Sequence, residues 1–519
     1  MKNIETVFGS IALHAKKKPG KIAIVAGRES ITYQLLAAKV NATANSLHAL
    51  GVVPGARVGV ATVNVIDHLI GSLGAMAAGA IPVALPNTDN MSYRAIVEDA
   101  APSLIIHEGG KFDLLDASGN LSETSRIEDV QGEITEPEIN FLERSVEPEE
   151  IAMIYYTSGT SSGVRKGVMQ SYRALHNTAN YIVDITQLNN EVREFVASSI
   201  DNAFWFGRCR CILKVGGTIL LHDGTLNPLA IIDSIKRNNG NAISGDTPVY
   251  LLLINYLEKN FLQIAPAIRW AKIASQAMPI QDKERLIKML PNARIVMGYG
   301  LTEAMRTSLL SFNDFQDKLA SDGCACPGVA LAILDAKGAI GAPPKEVGEV
   351  LISGGNLASG YWNKGRMWEE KLVGKWYKSG DLGYLDEEGY LFLLGRKDHA
   401  INSGGKTIAL SEVENRLRPH ILAANFVACG MKDPKGILGE VVVLCIEGEW
   451  AEKSDWKDLR IHLFECMEPA FVPKEAYCIP QFPRTSNSKI QLGILREKIE
   501  QGSFNKWRIQ ARSATRDID

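Results

Sequence analysis

The chain has 519 residues, 46% of them hydrophobic and 22% charged, with a formal net charge of −3. That length exceeds one ordinary domain and that composition can bury large cores. The near-balanced charge gives no global basic field, which argues against nucleic acid as a partner.

In chain order, the opening MKNIETVFGSIALHAKKKPGKIAIV lacks a long apolar core followed by a small-residue cleavage site, so no signal peptide is expected. Val65 to Leu85 is the most apolar long stretch, but Asp67, His68, glycines at 71, 74 and 79, and Pro82 interrupt it. It predicts a helix followed by a strand; a membrane span needs about 20 uninterrupted apolar residues. The eight cysteines are scattered. Cys209/Cys211 and Cys324/Cys326 have C-x-C spacing, unlike the C-x2-C of structural zinc, so reduced core thiols in a cytoplasmic protein are expected.

Up to about residue 300, runs such as KIAIV, ARVGVAT, AIPVAL, EIAMIYYT, EFVASSI, GTILLH and ARIVMGYG alternate with helix-like segments such as AIIDSIKRNN and QDKERLIKML. That alternation predicts an α/β fold, with mostly parallel sheets covered by helices on both faces. From about residue 323 the texture becomes strands separated by Gly- and Asp-containing turns, a β-rich section. After GRKD follows a smaller α+β segment: helix (LSEVENRL), two strands (NFVACGM, EVVVLCIEG), helix (WKDLRIHLFECM) and a strand near EAYCIP. The predicted domains are 1–395 and 396–519.

The stretch YYTSGTSSGVRKGVMQSY supports two chemistries. GTSSG fits the G-x-S-x-G nucleophile elbow of serine hydrolases, with Ser161 as nucleophile. That reading requires strand, elbow and helix in succession, then an acid (Asp201 or Asp246) and a histidine (His399 or His420). As a whole, the stretch is a phosphate-wrapping loop. Thr157, Ser158, Thr160, Ser161 and Ser162 supply hydroxyls, Gly159 and Gly163 allow backbone N–H groups close to an anion, and Lys166 adds charge. It is not a Walker A loop, because Val164 and Arg165 separate the last glycine from Lys166.

Four later motifs decide between the two. GYGLTEA (Gly298 to Ala304) follows an apolar strand, putting Thr302 and Glu303 at its carboxyl end, where ligands of open α/β sheets sit. YKSGDLG presents Asp381 in a glycine turn, suited to accept hydrogen bonds from a diol. GRKDHAINSGGKTI places Arg396 beside a domain boundary, and FPRTSNSKIQ carries Lys489 in a polar loop.

With these motifs in this order, and with ITYQLLAAKVNATANSLHALGVVPG and NVIDHLIGSLGAMAAGAIPVALPN before them, the chain resembles the ANL superfamily of adenylate-forming enzymes: acyl-CoA synthetases, luciferases and peptide-synthetase adenylation domains. The resemblance runs from about residue 5 to 495. It implies that a carboxylic acid is activated with ATP and Mg²⁺ to an acyl adenylate, releasing pyrophosphate, and is then transferred to coenzyme A. The alternative acceptor is the phosphopantetheine of a separate acyl carrier protein.

By resemblance, the loop from Thr157 to Lys166 holds the β- and γ-phosphates. Tyr299 lies against adenine, flanked by Gly298 and Gly300, with Gln276 and Ala277 on the other side. Thr302 touches the α-phosphate and Glu303 binds magnesium. Asp381 and Arg396 hold the ribose hydroxyls, and Lys489 bridges the carboxylate and the α-phosphate. Asp398 is the hinge of a small mobile C-terminal domain, whose Gly404, Gly405 and Lys406 face the thiol tunnel.

The chain departs from the family in three places. Its phosphate loop is one residue longer and has Arg165 where proline is usual. Ser488 replaces the glycine before the late lysine. The acyl-pocket segment reads DNAFWFGRCRC. Phe204 or Trp205 is expected at the gate of the pocket, which Gly298 also lines. Arg208, Arg210 and Arg306 bring charge to this region, suiting a small or medium acid with a polar or aromatic body rather than a long plain fatty acid.

Overall fold

In a strand buried on both faces, every side chain must be apolar or partnered, and VMGY, IAIVA and TILL meet that condition. In the computed structural model these runs are strands. The structure describes residues 4–86, 91–107, 111–115, 121–126, 140–157, 165–200, 203–221, 227–274, 277–403, 406–418, 420–421, 425–433, 435–436, 438–448, 463–465, 467–469, 471–484, 490–504 and 506–508.

The chain divides into two units. The first comprises residues 1–332, 351–379 and 385–392, and the second residues 333–350, 380–384 and 393–519. The division of the chain passes within strands Val329–Leu334, Gly348–Gly354, Trp376–Leu385 and Leu391–Arg396.

The first unit holds a nine-stranded and an eight-stranded sheet. In the nine-stranded sheet, Arg294–Tyr299, Trp270–Ala274, Ala242–Asp246, Arg193–Ala197, Thr218–Leu221 and Ile22–Ala26 are adjacent and parallel. Antiparallel strands Glu29–Thr32 and Ser308–Ser311 flank them, with Cys324–Ala325 outermost. Alternate residues feed different cores. Val196, Ile219, Trp270 and Val296 join a cluster that includes Trp205, Phe206 and Cys209 of helix Ala203–Val215. Phe195, Ile243, Ile273 and Ile295 join another that includes Ile231, Leu253 and Leu286 from three further helices.

The eight-stranded sheet includes Ile81–Ala84, Arg57–Val60 and Leu104–Ile106 in parallel, and the antiparallel pair Ile151–Thr157 and Lys166–Ser171. The apolar stretch from Val65 is a buried helix, Val65–Ala77, followed by the strand Ile81–Ala84. Asn64 starts this helix: its side chain accepts hydrogen bonds from the Ile66 and Asp67 amides at 2.8 and 3.2 Å. Among the described residues no helix is long and apolar enough to cross a membrane.

In the second unit, Phe426–Lys432, Glu440–Glu447, Glu475–Ile479 and Lys506–Arg508 form a four-stranded sheet. Its two faces again have separate cores. One joins Leu410, Val413 and Leu417 of helix Leu410–Leu417, and the other Leu495 and Ile499 of helix Leu492–Glu500. The helix predicted over 456–467 falls largely outside the described residues.

Candidate active site

Thr157 and Lys166, the two ends of the phosphate-loop motif, face each other as cross-strand partners in an antiparallel pair. Residues 158–164, and with them Ser158, Gly159, Thr160, Ser161, Ser162 and Gly163, lie outside the described residues. The strand Lys166–Ser171 alters one expectation. A nucleophile elbow passes directly from strand into helix, but here a second strand intervenes and the helix starts only at Tyr172. Among the described residues the direct strand-to-helix passage of the hydrolase reading is not found.

Along this second strand Lys166, Val168 and Gln170 share a face. The Lys166 ammonium sits over the Tyr361 ring, 5.3 Å from its centroid. Tyr361 is held there because Gly360–Tyr361 pairs with Val168 and Met169. Its hydroxyl donates to Glu303 Oε1 at 2.7 Å and lies 3.0 Å from the Tyr377 hydroxyl. Tyr361 has one proton to give, so Tyr377 is the donor in the second bond. Trp368 stacks on Tyr377 at 4.9 Å and meets Tyr361 edge-on at 5.2 Å.

Thr302 and Glu303 stand in a tight loop between strands Arg294–Tyr299 and Ser308–Ser311. Leu301 and Ala304 exchange backbone hydrogen bonds at 3.0 and 3.2 Å. Gly300 is required there, because a Cβ would lie 2.6 Å from the Arg306 amide nitrogen. The loop's carbonyls are fixed from outside: Gln170 Nε2 donates to Thr302 at 2.6 Å, the Ala358 amide to Glu303 at 2.8 Å, and Asn356 Nδ2 to Met305 at 3.1 Å. Glu303 itself stays half-buried. Tyr299 and Ala277 leave the carboxyl ends of adjacent parallel strands, while Gln276 lies outside the described residues.

The second unit carries its own cluster. Arg396 donates from Nη1 to Asp381 Oδ1 at 3.2 Å and from Nε to Asp398 Oδ1 at 3.4 Å. Burial opposes the charge on Arg396, but Asp381 and Asp398 hold the guanidinium above its ordinary range. The turn before Asp381 needs glycine: Gly380 has φ +78°, and a Cβ there would come within 2.8 Å of Arg396 Nη2. Glu349 fixes the turn by accepting from the Gly380 amide at 3.1 Å and from Lys397 Nζ at 2.7 Å. Lys406 opens strand Lys406–Ala409; Gly404, Gly405 and Lys489 lie outside the described residues.

In the expected acyl-pocket segment, Phe204 is half-buried and Trp205 fully buried on helix Ala203–Val215. Arg208 grips Glu194 with two hydrogen bonds, at 2.8 and 2.5 Å, both side chains being 1% exposed. Burial opposes this guanidinium's charge, and Glu194 holds it above the arginine range. Its Nε–Nη2 edge is thus committed to Glu194, while Nη1 is buried with no hydrogen-bond partner among the described residues. Gly298 is half-buried, and Arg210 and Arg306 are buried nearby. Sequence reasoning missed Tyr361, Gln170, Lys272 and Glu194. Tyr377 stood inside a quoted motif without a role.

A family model described as AMP-binding enzyme matches residues 11–362. The chain is similar to feruloyl-CoA synthase of Amycolatopsis sp, 27% identical over 494 residues, covering 93% of this chain and 97% of that protein. It is also similar to tyrocidine synthase 3 of Brevibacillus parabrevis, 27% identical over 491 residues and 92% of this chain; there it spans 7% of the relative's length. Among solved structures it is similar to o-succinylbenzoate CoA synthetase (MenE) from Bacillus subtilis in complex with the acyl-adenylate intermediate OSB-AMP. The TM-score is 0.81 at 22% identity, over 94% of this chain and 98% of that one. That likeness is one of fold.

Proposed function

Because this chain belongs to the AMP-binding enzymes, and with them to the adenylate-forming superfamily, we propose that it is an AMP-forming acid–thiol ligase: it joins a carboxylic acid to AMP and passes the acyl group to a thiol. The observation that carries this reading is the Lys166–Tyr361–Glu303 contact. A cation and a carboxylate held by one tyrosine, beside the carboxyl ends of strands Ile151–Thr157 and Arg294–Tyr299, suit a polyphosphate and its metal.

The first step forms a bond between a carboxylate oxygen and the α-phosphorus of ATP. The bond to the β-phosphate oxygen breaks and pyrophosphate leaves. Lys166 and the loop before it hold the departing phosphates, and Thr302 orients the α-phosphate. Asp381 and Arg396 are the proposed ligands of the ribose hydroxyls, and Tyr299 and Ala277 those of the base. Lys489 is the proposed partner of the attacking carboxylate. Glu303 offers a hard oxygen of the kind magnesium takes; that ion is usually held by one or two carboxylates plus substrate phosphates. When bound, magnesium offsets the charge that gathers on the phosphates. Positioning and electrostatics of this sort supply most of the catalysis in phosphoryl and nucleotidyl transfer.

In the second step a thiol loses its proton, its sulfur attacks the acyl carbon, and AMP leaves. Asp398 is the proposed hinge for that step, with Gly404, Gly405 and Lys406 along the thiol's approach. Coenzyme A is the proposed acceptor, in keeping with the near full-length similarity to a feruloyl-CoA synthase. Similarity to tyrocidine synthase 3 supports the other acceptor, a carrier-protein phosphopantetheine.

The test forms the adenylate from a panel of carboxylic acids and then offers coenzyme A or a phosphopantetheinylated carrier protein. A thioester to coenzyme A is expected. A thioester to the carrier alone transfers the assignment to the second acceptor, and no adenylate from any acid refutes the proposal.

A further inference from the structure

Resting on that reading of the site as one that activates acids, we infer that Lys272 and Arg306 form a receptor for a second carboxylate, so that the acid bound here is a dicarboxylic acid.

Lys272 occupies an unusual place for a lysine, the middle of a parallel strand, where it is 5% exposed. With Trp270 it lies on the sheet face toward helix Ala203–Val215. Its register partners are Ser244 and Val296. Two residues past Val296 is Gly298, and a Cβ there would be 3.0 Å from Lys272 Nζ. Lys272 is two residues short of its strand's carboxyl end, roughly 7 Å below the edge where the reacting groups stand.

Arg306 reaches the same place from the Thr302–Glu303 loop. It is three residues past Glu303, with φ +52°, a left-handed conformation that a non-glycine residue adopts at a cost. Its guanidinium lies where the Cβ of residue 207 would be, in the interior of helix Ala203–Val215. A glycine mid-helix is a poor choice for helix stability. At position 207 it makes room for the Arg306 side chain.

Among the described residues, this region has cations without matching anions. Arg306 Nε and Nη2 are buried with no hydrogen-bond partner among the described residues, as are Arg210 Nε and Nη2, the Tyr155 hydroxyl and Ser244 Oγ. Lys272 Nζ donates to the Ile273 carbonyl at 2.9 Å. The groups that act most strongly on the charge of Lys272 are Arg306, Arg208, Cys326 and Cys211, and on that of Arg306 Cys211, Arg210, Arg208 and Tyr155; no carboxylate is among them. Glu194 is already committed to Arg208. Burial first, and these like charges with it, pull Lys272 well below its ordinary range and Arg306 down to about 10.

Unpaired buried cations are costly to a fold, and such costs concentrate where a ligand supplies the missing charge. A carboxylate matches the arginine fork and the lysine point charge together. A methyl-terminated acid of the same length would bury apolar carbon against both and leave them unpaired, so the pocket selects against it.

The test measures acid-dependent ATP–pyrophosphate exchange with straight-chain dicarboxylic acids and with monocarboxylic acids of equal length. It uses wild type, Arg306→Met and Gly207→Ala, with thermal melts of each free protein. Wild type is expected to favour the dicarboxylic acids in kcat/KM, and each variant to lose that preference by about 10²–10³-fold. Arg306→Met, which removes an uncompensated cation, is expected to melt no lower than wild type. A wild-type preference for monocarboxylic acids, or a dicarboxylate preference that survives Arg306→Met, overturns the inference and leaves acid activation standing. So does a melt lowered by many degrees, which would mark Arg306 as structural. Exchange with no acid of either kind overturns acid activation and the inference with it.

Discussion

Replacing Tyr361 by phenylalanine removes one oxygen from the contact that joins Lys166 to Glu303. The ring stays: it is 2% exposed, keeps its edge-on contact with Trp368 at 5.2 Å, and still lies 5.3 Å below the Lys166 ammonium. The loss is therefore confined to the hydroxyl, which donates to Glu303 Oε1 at 2.7 Å and accepts from Tyr377 at 3.0 Å. A hydrogen bond to a charged group is worth about 1.5–3 kcal/mol, and each 1.36 kcal/mol is a factor of ten. If that bond orients Glu303 toward magnesium, the variant should need roughly 10- to 150-fold more magnesium for half-maximal activity. The assay is ATP–pyrophosphate exchange titrated with magnesium at fixed ATP. Tyr377→Phe removes only the outer donor and leaves the Tyr361–Glu303 bond in place, so its shift should be the smaller of the two. Equal shifts, or an unchanged magnesium requirement in Tyr361→Phe, would refute the role given to this tyrosine.

Glu194→Gln leaves Arg208 buried without its counter-charge and should cost about 3–5 kcal/mol in denaturant unfolding, whereas the paired replacement Glu194→Leu with Arg208→Met should cost far less. In Gly300→Ala the new Cβ meets backbone, the Arg306 nitrogen at 2.6 Å and the Ala304 oxygen at 3.1 Å, so the loop must shift. Exchange should fall by about 10²-fold through displaced Thr302 and Glu303, with a melting temperature close to wild type. A fall in both together would mean that the loop is a stability element instead.

The parts of the fold that were legible in the sequence share one property, in that a local pattern determined them. The run RIVMGY reads as a strand because a strand buried on both faces allows little else there, and the glycines and Pro82 that break up Val65 to Leu85 mark a helix followed by a strand. The strand Lys166–Ser171 was hidden because KGVMQS has neither a strongly apolar run nor clean alternation; pairing on both sides, with Ile151–Thr157 and Gly360–Tyr361, makes it a strand. Tyr361 and Tyr377 were invisible as site residues because their meeting with Glu303 is a long-range contact. Lys272 and Glu194 did carry a signal. Lys272 is the lone charge of its strand and Glu194 the buried charge of its own, next to the half-buried Arg193, and a charge in a doubly buried strand requires either a partner or a ligand. Glu194 has the partner, Arg208, and this commits an arginine that sequence reasoning assigned to the acyl pocket.

The most direct test of acid activation is ATP–pyrophosphate exchange that depends on an added carboxylic acid, compared across wild type, Lys489→Ala and Ser161→Ala. Adenylation predicts acid-dependent exchange in wild type, its near-complete loss in Lys489→Ala, and only a weakened signal in Ser161→Ala. Exchange absent with every acid, together with covalent labelling of Ser161 by a fluorophosphonate, would contradict it.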